Sequence, residues 1–231
     1  MKYSSRIKEL IVAQSNNLIK FTIRNYIYMK NLEGKFSNKT FKFIKVGSND
    51  GVNNDPCGEL FLTCKNWSGA LIEPVPDIFD KLNKYYSSKR FSLHQIAISN
   101  NNNSSMSFYS LDTEKFKKDK EDSKSYKYWM DAISSFDKEH IKKNINKEFY
   151  KYIRELKVKV QTLEQFIEYE FLSKPNLIHI DTEGHDLVVL ERLNLSINKP
   201  NTILLEHAHL SEKSKLKLSQ ILKKNKYFII K

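Results

Sequence analysis

FKFIKVGSNDG, residues 41–51, is an apolar run that ends in two glycines with Ser, Asn and Asp between them. The run predicts a buried strand, and Gly47 and Gly51 permit the unusual dihedral angles of a tight loop whose backbone amides can approach a ligand closely. A second apolar run, GALIEP at residues 69–74, ends in Glu73, whose carboxylate can accept hydrogen bonds from both hydroxyls of a ribose. Together the two runs predict the ligand-binding half of an α/β domain.

The loop between the glycines carries a charge that bears on the kind of ligand. Asp50 would repel a pyrophosphate but suits an ammonium group, and the loop does not match the GxGxxG pattern of dinucleotide sites. This favours a nucleotide that carries an amino acid, such as S-adenosylmethionine, over NAD. An ordinary tight turn at Gly47–Gly51 and an exposed helix-start acid at Glu73 are the alternative explanation.

Apolar runs and amphipathic runs alternate along most of the chain. Further strands are predicted at FSLHQIAIS, LKVKVQT, NLIHIDTEG, NTILLEHAH and KYFII, and helices at GELFLTCKNW, PDIFDKLNKYYSS, LEQFIEYEFLS, HDLVVLERLN and SEKSKLKLSQILKKN. Short strands separated by helices of about 10–15 residues indicate βαβ units. We therefore predict an α/β domain over residues 41–231, with a mostly parallel central sheet and helices on both faces.

Two segments depart from this alternation. Residues 1–40 have apolar positions at mixed spacings of three and four, which predicts an N-terminal helical extension. This extension could cover the domain, form a homodimer contact or, as a basic amphipathic helix, touch a membrane surface peripherally. Residues 100–156 contain a loop, an extra strand, a charged stretch and a helical stretch, and we expect this inserted, mainly helical segment to form a lid or substrate wall.

Length and composition limit the class of protein. A chain of 231 residues with 40% hydrophobic residues is typical of one globular domain with extensions. It has no apolar run of roughly 18 residues, and Lys8 and Glu9 interrupt the N-terminus where a signal peptide would be apolar, so a cytoplasmic location is expected. Cys57 and Cys64 match no metal or redox pattern and are predicted to be reduced structural thiols.

The formal net charge of +12 raises the question of a nucleic-acid partner. Only five of the 39 basic residues are arginines, however, and bidentate recognition of bases and phosphates favours the guanidinium group. The chain is also rich in asparagine, as in NNNNSS at residues 100–105, which indicates a compositional bias towards Lys and Asn. We therefore interpret the lysines as solvated surface and do not expect nucleic acid as the partner.

Four of the predicted strands end in polar residues: VGSNDG, LIEP, HIDTEGHD and LLEHAH. In an open parallel sheet, ligands bind beyond the carboxyl ends of the strands. A strand that is buried on both faces has little structural use for an acid at its end. Asp181 and His185 after one strand, and Glu206 and His207 after the next, are therefore the candidate catalytic residues.

The chain also resembles a known family. The motifs that carry the resemblance occur in the order seen in FkbM-type methyltransferases and cover about residues 41–230: FIKVGSNDG, GALIEPVPDIFDKL, HQIAIS, SSFD, VQTLEQFI, LIHIDTEGHDLVVL and PNTILLEHAHLS. The resemblance implies a Rossmann-like class I methyltransferase fold, S-adenosylmethionine as cofactor and methyl transfer to oxygen on sugars or secondary metabolites. It also implies that Gly47, Asn49 and Gly51 line the methionine part, that Glu73 binds the ribose, and that Ala97 lies near the adenine.

The acids and histidines at the last two strand ends allow three interpretations. By similarity to catechol-type O-methyltransferases, Asp181, Glu206 and His207 could hold a divalent metal such as Mg²⁺ or Mn²⁺ beside the acceptor hydroxyl. Without a metal, His185, His207 or His209 could be the general base, held by Asp181 or Glu206. In the third interpretation these groups pair with one another and have a structural role.

The interpretation that accounts for most of these features is an S-adenosylmethionine-dependent O-methyltransferase. Its acceptor would be a hydroxyl of a sugar, a glycan or a small polyol, bound between the strand ends and the insertion at 100–156. Ser134 and Ser135 could face that acceptor. The alternatives are an RNA methyltransferase, which the net charge would favour, and a non-catalytic nucleotide-binding module.

Overall fold

The computed structural model describes residues 30, 34, 36, 39–53, 55, 57–102, 105–119, 127, 129–171, 174–206 and 210–229. Most of the N-terminal segment 1–40 lies outside these residues, so its predicted helices and its role in a homodimer stay predictions. His207 and His209 lie outside them as well. The chain divides into two compact units, one of residues 1–41 and 52–68 and the other of residues 42–51 and 69–231.

Helices and strands alternate as the sequence predicts. The strands are β1 (Phe41–Val46), β2 (Trp67–Ile72), β3 (Phe91–His94), β4 (Ala97–Ile98), β5 (Met106–Leu111), β6 (Ser134–Ser135), β7 (Ile153–Val158), β8 (Val160–Gln161), β9 (Leu177–Ile180) and β10 (Thr202–Leu205). The helices are α1 (Gly58–Thr63), α2 (Pro76–Tyr85), α3 (Thr113–Asp119), α4 (Trp129–Ala132), α5 (Lys138–Asn144), α6 (Leu163–Gln165), α7 (Asp186–Glu191) and α8 (Glu212–Lys224). A 3₁₀ helix spans Lys147–Tyr152, and α6 continues as a π-helix over Phe166–Phe171.

The smaller unit is built on aromatic packing. Phe41 stacks on Trp67 with ring centroids 4.3 Å apart, and Phe61 of α1 lies 6.3 Å from the same indole. The Trp67 Nε1–H donates to the carbonyl oxygen of Phe36 at 3.4 Å. Cys57 and Cys64 are buried and are not joined in a disulfide.

The larger unit contains most of the central sheet, whose strand order is β10-β9-β1-β2-β3. The pairs β1–β9, β9–β10 and β2–β3 are parallel, which confirms the mostly parallel α/β fold. Ile44, Val46, Ile178 and Ile180 are fully buried and belong to one apolar core. Apolar residues with branched side chains suit such a strand because both faces of the sheet are covered.

The structure corrects three of the predicted strands. LKVKVQT is divided between β7, which pairs antiparallel with β5, and β8, which pairs with β4, so it contributes nothing to the main sheet. FSLHQIAIS is not continuous: β3 stays in the main sheet, while β4 leaves it and pairs with β8. KYFII was predicted as a last strand, but its described residues form none. The Tyr227 N–H closes the end of α8 on Leu222 O at 2.9 Å, and the Tyr227 hydroxyl donates to Pro200 O at 2.9 Å, so this segment ends the helix instead of extending the sheet.

The predicted helical stretch of the insertion contains α5 and the 3₁₀ helix, but its last residues, 153–156, belong to strand β7. The insertion also contains α3 within its charged stretch and an antiparallel sheet of order β6-β5-β7. It has an apolar core of its own, formed by Leu111, Phe116, Met130, Ile133, Ile141, Ile145 and Tyr152. This core packs strand β5 against the helices of the insertion. Among the described residues, no helix combines the length and the apolar character that crossing a membrane requires.

Candidate active site

Four strands of the main sheet end at one edge, and each is followed by one of the predicted site residues. The Gly47 N–H donates to Ile72 O at 3.1 Å, which joins the ends of β1 and β2. The Asp181 N–H donates to Val46 O at 3.0 Å, and the Glu206 N–H donates to Ile180 O at 3.2 Å. The loop at Gly47, the acid that ends β2 and the acids after β9 and β10 are therefore neighbours in space, as parallel pairing requires.

A cleft of about 650 Å³, part of it open to solvent, lies at this edge of the sheet. Its wall combines apolar residues, hydroxyl groups and acids. It is formed by Val46, Gly47, Asn49, Ile72, Glu73, Pro74, Ile96, Ala97, Ile98, Phe108, Ala132, Ser134, Ser135, Phe136, Asp181, Thr182, Glu183 and His185. A largely apolar cleft with a few convergent polar groups is typical of a small-molecule site.

Gly47 allows the loop after β1 to contact the backbone of the strand beside it. Its φ angle is 74°, and a Cβ at this position would lie 1.8 Å from the carbonyl oxygen of Asp181. Asn49 also has a positive φ angle, 49°, and its N–H donates to Glu73 Oε2 at 2.9 Å. The loop therefore brings Gly47 and Asn49 into the cleft wall, and it holds one oxygen of the acid from the next strand.

The other two loop residues that were predicted to bind the cofactor are placed differently. Asp50 and Gly51 are not among the residues that form the cleft wall. A Cβ at Gly51 would lie 2.4 Å from the Tyr86 ring, and the Tyr86 hydroxyl donates to Gly51 O at 2.7 Å. The structure thus shows a packing reason for this glycine.

Glu73 is an ionisable residue in the cleft wall with only 5% of its surface exposed. Its Oε1 accepts from the Val75 N–H at 3.0 Å, and its Oε2 accepts from the Asn49 N–H. Burial raises the pKa of Glu73 to about 7, although these two hydrogen bonds and the charge of Lys45 act in the opposite direction. Each oxygen keeps acceptor capacity, so this carboxylate can take two further hydrogen bonds from a ligand.

Three carboxyl groups meet after β9 and β10. Asp181, Glu183 and Glu206 each have a carboxylate oxygen within 4.8 Å of the others. Burial, followed by the charges of Asp181 and Glu183, raises the pKa of Glu206 to about 9. Asp181 and Glu183 line the cleft, whereas Glu206 is not part of the cleft wall. These three groups can therefore share a proton, or hold a hard cation through oxygen ligands.

The turn that carries Glu183 has an unusual backbone. Glu183 has a φ angle of 51° and Gly184 one of 93°, and left-handed conformations of residues other than glycine often occur at functional sites. Asp186 holds the turn, because its carboxylate accepts from the N–H groups of Thr182 at 3.3 Å and Gly184 at 3.2 Å. Burial raises the pKa of Asp186 and the pKa of Glu183 to about 7 each.

His185 lies in the cleft wall but is already in contact with protein groups. Its Nε2 is 2.9 Å from the hydroxyl oxygen of Ser99, and its ring lies 4.9 Å from the ring of Phe136. Burial lowers the pKa of His185 to about 4, so the imidazole is neutral at neutral pH. A base with so low a pKa has little capacity to take a proton from a hydroxyl group.

The insertion contributes one wall of the cleft, and β4 contributes another. Phe108, Ala132, Ser134, Ser135 and Phe136 come from the insertion, and Ala97 and Ile98 come from β4. The rings of Phe108 and Phe136 pack edge to face at 4.9 Å. Sequence reasoning placed the two serines and Ala97 at the site but missed the aromatic residues, because nothing in a local pattern distinguishes a cleft phenylalanine from a core one.

Other predicted residues fall outside the cleft or outside the described part of the chain. His207, expected as a metal ligand or base, lies outside the described residues. His179 is buried in the middle of β9, as expected for a core histidine. Ser99 and Thr182 were not predicted at all. The Thr182 hydroxyl lies buried in the cleft wall and has no hydrogen-bond partner among the described residues.

The chain matches the model of a known protein family. The family model of the methyltransferase FkbM domain matches residues 45–229, and this range includes β1 from Lys45 onward and all four strand ends of the cleft. Searches of the curated proteins and of the solved structures found no significant match. Because the matched range covers well over half of the chain, the protein belongs to the FkbM methyltransferase domain family and is a methyltransferase.

Proposed function

We propose that this methyltransferase uses S-adenosylmethionine and methylates a hydroxyl group of a sugar, a glycan or a small polyol. The observation that carries the proposal is Glu73, a buried carboxylate in the cleft wall whose two oxygens each accept one backbone N–H. Its remaining lone pairs suit two adjacent hydroxyl groups, as a ribose presents them.

The other residues in this half of the cleft also fit that cofactor. At Gly47 a Cβ would lie 1.8 Å from the Asp181 carbonyl oxygen, so a glycine is needed for this loop to reach its place in the cleft wall. Ala97 and Ile98 offer an apolar surface for an adenine. When bound, S-adenosylmethionine supplies an activated methyl group on a sulfonium. The loop at 47–49 and Glu73 would bind and orient it.

The other half of the cleft is suited to a neutral hydroxylated acceptor. Phe136 presents an aromatic surface, and Ser134 and Ser135 provide hydroxyl groups. Asp181 and Glu183 are the carboxylates in the wall that can accept the acceptor's proton, with Glu206 behind them to share it. We assign His185 to positioning, through Ser99 and Phe136, because its pKa of about 4 makes it a weak base.

We propose in addition that the site binds a divalent metal ion beside the acceptor hydroxyl. The oxygens of Asp181, Glu183 and Glu206 lie close enough together to ligate one ion, and Mg²⁺ or Mn²⁺ prefers such oxygen ligands. Glu183 completes a ligand set for which His207 was expected. A bound metal would lower the pKa of a nearby hydroxyl group.

The cofactor is tested by calorimetry with S-adenosylhomocysteine in EDTA, and the metal by repeating the titration and a methyl-transfer assay with Mg²⁺ or Mn²⁺. We expect micromolar binding in EDTA. The acceptor assay would use a panel of methyl glycosides and polyols with S-adenosylmethionine. Absence of binding by folded protein in every buffer would refute the cofactor assignment, and unchanged transfer in EDTA would refute the metal.

An RNA acceptor is the rival enzyme function, and the net charge of +12 is what favours it. The cleft wall argues against it, since none of the described residues in that wall is a lysine or an arginine while three are acids. Proteins bind the sugar-phosphate backbone of RNA mainly through lysine and arginine side chains. We propose that the reaction takes place in the cytoplasm. A homodimer formed through residues 1–40 and a peripheral contact with a membrane both stay predictions.

A further inference from the structure

Arg154 of the insertion joins two elements that belong to different parts of the fold. Its Nε–H donates to the Ser110 hydroxyl oxygen at 2.9 Å, within the inserted sheet. Its other end forms an ion pair with Asp77 in the first turn of α2. Both side chains are only about a quarter exposed, so solvent screens this pair less than a surface pair.

Asp77 is close in the chain to the proposed ribose-binding acid. Glu73 accepts from the Val75 N–H, and α2 begins at Pro76, so this tight turn connects the two carboxylates. One oxygen of Asp77 contacts Arg154, and the other is buried without a hydrogen-bond partner among the described residues. The largely enclosed negative charge of Asp77 is therefore paired with Arg154.

Charged groups from several parts of the fold lie around Glu73. Lys45 of β1 stabilises its ionised form, and Asp77 of α2 opposes it. Arg154 of β7 reaches Glu73 only through Asp77. Across the cleft, Asp181 adds a further acid. If a neutral residue replaced Arg154, the negative charge of Asp77 would be uncompensated and would raise the pKa of Glu73 further.

We propose that Arg154 is a positioning residue for cofactor binding, acting through Asp77 to keep the Glu73 carboxylate oriented and ionised. This rests on the proposed function of Glu73 as the ribose ligand. It gives the insertion a second role besides forming the acceptor wall, because a residue of β7 then determines how well the cofactor half of the cleft binds.

The experiment is calorimetric titration of S-adenosylhomocysteine, in EDTA, from about pH 6 to about pH 9, a range that spans the pKa of Glu73. Binding to the ionised carboxylate weakens as the pH falls through that pKa. We expect Arg154→Gln to move the midpoint of this loss up by about one pH unit, which makes binding about fivefold weaker near pH 7. Asp77→Asn should move the midpoint down, and the double variant should have the same midpoint as Asp77→Asn, because Arg154 acts through Asp77.

Lys81→Gln is the matched control. Lys81 also joins α2 to the insertion, through Asp131 at 2.5 Å, but it lies about one helical turn beyond Asp77 and so farther along α2 from Glu73. We expect this variant to change the melting temperature without moving the pH midpoint. Arg154→Lys, which keeps the charge, should retain most of the wild-type profile.

The outcomes separate this inference from the proposed function. If wild-type protein binds and Arg154→Gln has the wild-type midpoint, or if Asp77→Asn does not lower it, the role of Arg154 is refuted while the cofactor assignment stands. If folded wild-type protein fails to bind, the cofactor assignment fails and the inference fails with it. Should Arg154→Gln not fold, the double variant decides, because a midpoint different from that of Asp77→Asn would show that Arg154 does not act through Asp77.

Discussion

At the scale of single residues, the carboxyl groups of this protein differ in what surrounds them. Glu73 is enclosed and accepts two backbone N–H groups, which suits an acceptor of hydrogen bonds from a ligand. Glu206 is enclosed among other acids, which suits a proton or a metal ion. The residue type is the same, so the environment determines the role that each one can have.

The first prediction concerns Glu73. Glu73→Gln removes the negative charge but keeps the size, and hydrogen bonds to a charged group contribute about 1.5–3 kcal/mol. We therefore expect S-adenosylhomocysteine to bind about tenfold to hundredfold more weakly, measured by calorimetry at about pH 8, where the wild-type carboxylate is ionised. Glu168→Gln, at an exposed position of the π-helix, is the control. Equal affinity of both variants would contradict the assignment.

The second prediction concerns Glu206. Its pKa is about 9 in the folded chain, against an ordinary value of 4.5. Below pH 4.5 this carboxyl is neutral in both the folded and the unfolded chain and does not destabilise the fold; as the pH rises from 4.5 towards about 9 it ionises in the unfolded chain only, and stability is lost. Glu206→Gln should therefore raise the melting temperature by a few degrees at about pH 8 in EDTA, and leave it unchanged at about pH 4.

The comparison that isolates this effect is Glu148→Gln, an exposed position in the 3₁₀ helix. Differential scanning calorimetry at the two pH values is the measurement. A melting temperature that falls at about pH 8 would show that the Glu206 carboxylate is stabilised in the folded protein, opposite to what its enclosure among acids predicts.

At the scale of elements, the site depends on how closely neighbouring strand ends approach each other. The loop after β1 contacts the backbone after β9 at Gly47, and the same loop holds Glu73 after β2 through Asn49. The insertion is a second element with its own core, and its side chains complete the cleft. Changes at these junctions should therefore affect binding even where no ligand atom is touched.

The third prediction tests the junction of β1 and β9. Gly47→Ala would place a Cβ 1.8 Å from Asp181 O, at a φ angle that disfavours any side chain. We expect a loss of about 3 kcal/mol or more in the free energy of unfolding, together with loss of S-adenosylhomocysteine binding. Gly34→Ala is the control, because no atom lies within 4 Å of a Cβ there. Urea unfolding measures the free energy of unfolding of both variants. Equal stability of Gly47→Ala and Gly34→Ala would contradict the prediction.

At the scale of the whole molecule, net charge and site charge have opposite signs. The chain has 39 lysines and arginines and 27 aspartates and glutamates, yet the cleft wall contains Glu73, Asp181 and Glu183 and, among the described residues, no lysine or arginine. A positive surface promotes weak, salt-dependent attraction to polyanions in general, whereas the cleft determines which molecule can react.

The fourth prediction follows from this separation. We expect the protein to bind RNA only nonspecifically, with a dissociation constant of about 10⁻⁴–10⁻⁶ M at physiological salt, and to transfer no methyl group to it. Fluorescence anisotropy with a labelled RNA at two salt concentrations measures the binding, and labelled S-adenosylmethionine measures the transfer. Methyl transfer into RNA would reverse the choice between the two enzyme functions.

The sequence by itself determined the α/β class, the alternation of strands and helices and the position of Glu73, Asp181 and Glu206 at strand ends. It could do so because buried parallel strands read as apolar runs, and an acid that follows such a run can only stand at the end of its strand. It failed where the same apolar character continues across a break, as between β3 and β4.

Only the tertiary structure decided which of these groups meet. It placed Glu183 with Asp181 and Glu206, Ser99 against His185, and Arg154 against Asp77, 77 positions away in the chain. It also showed that Asp50 and Gly51, which were predicted to bind the cofactor, are not among the residues that line the cleft. Distance, enclosure and therefore pKa arise from packing between elements that are remote in sequence, and local periodicity contains no information about that packing.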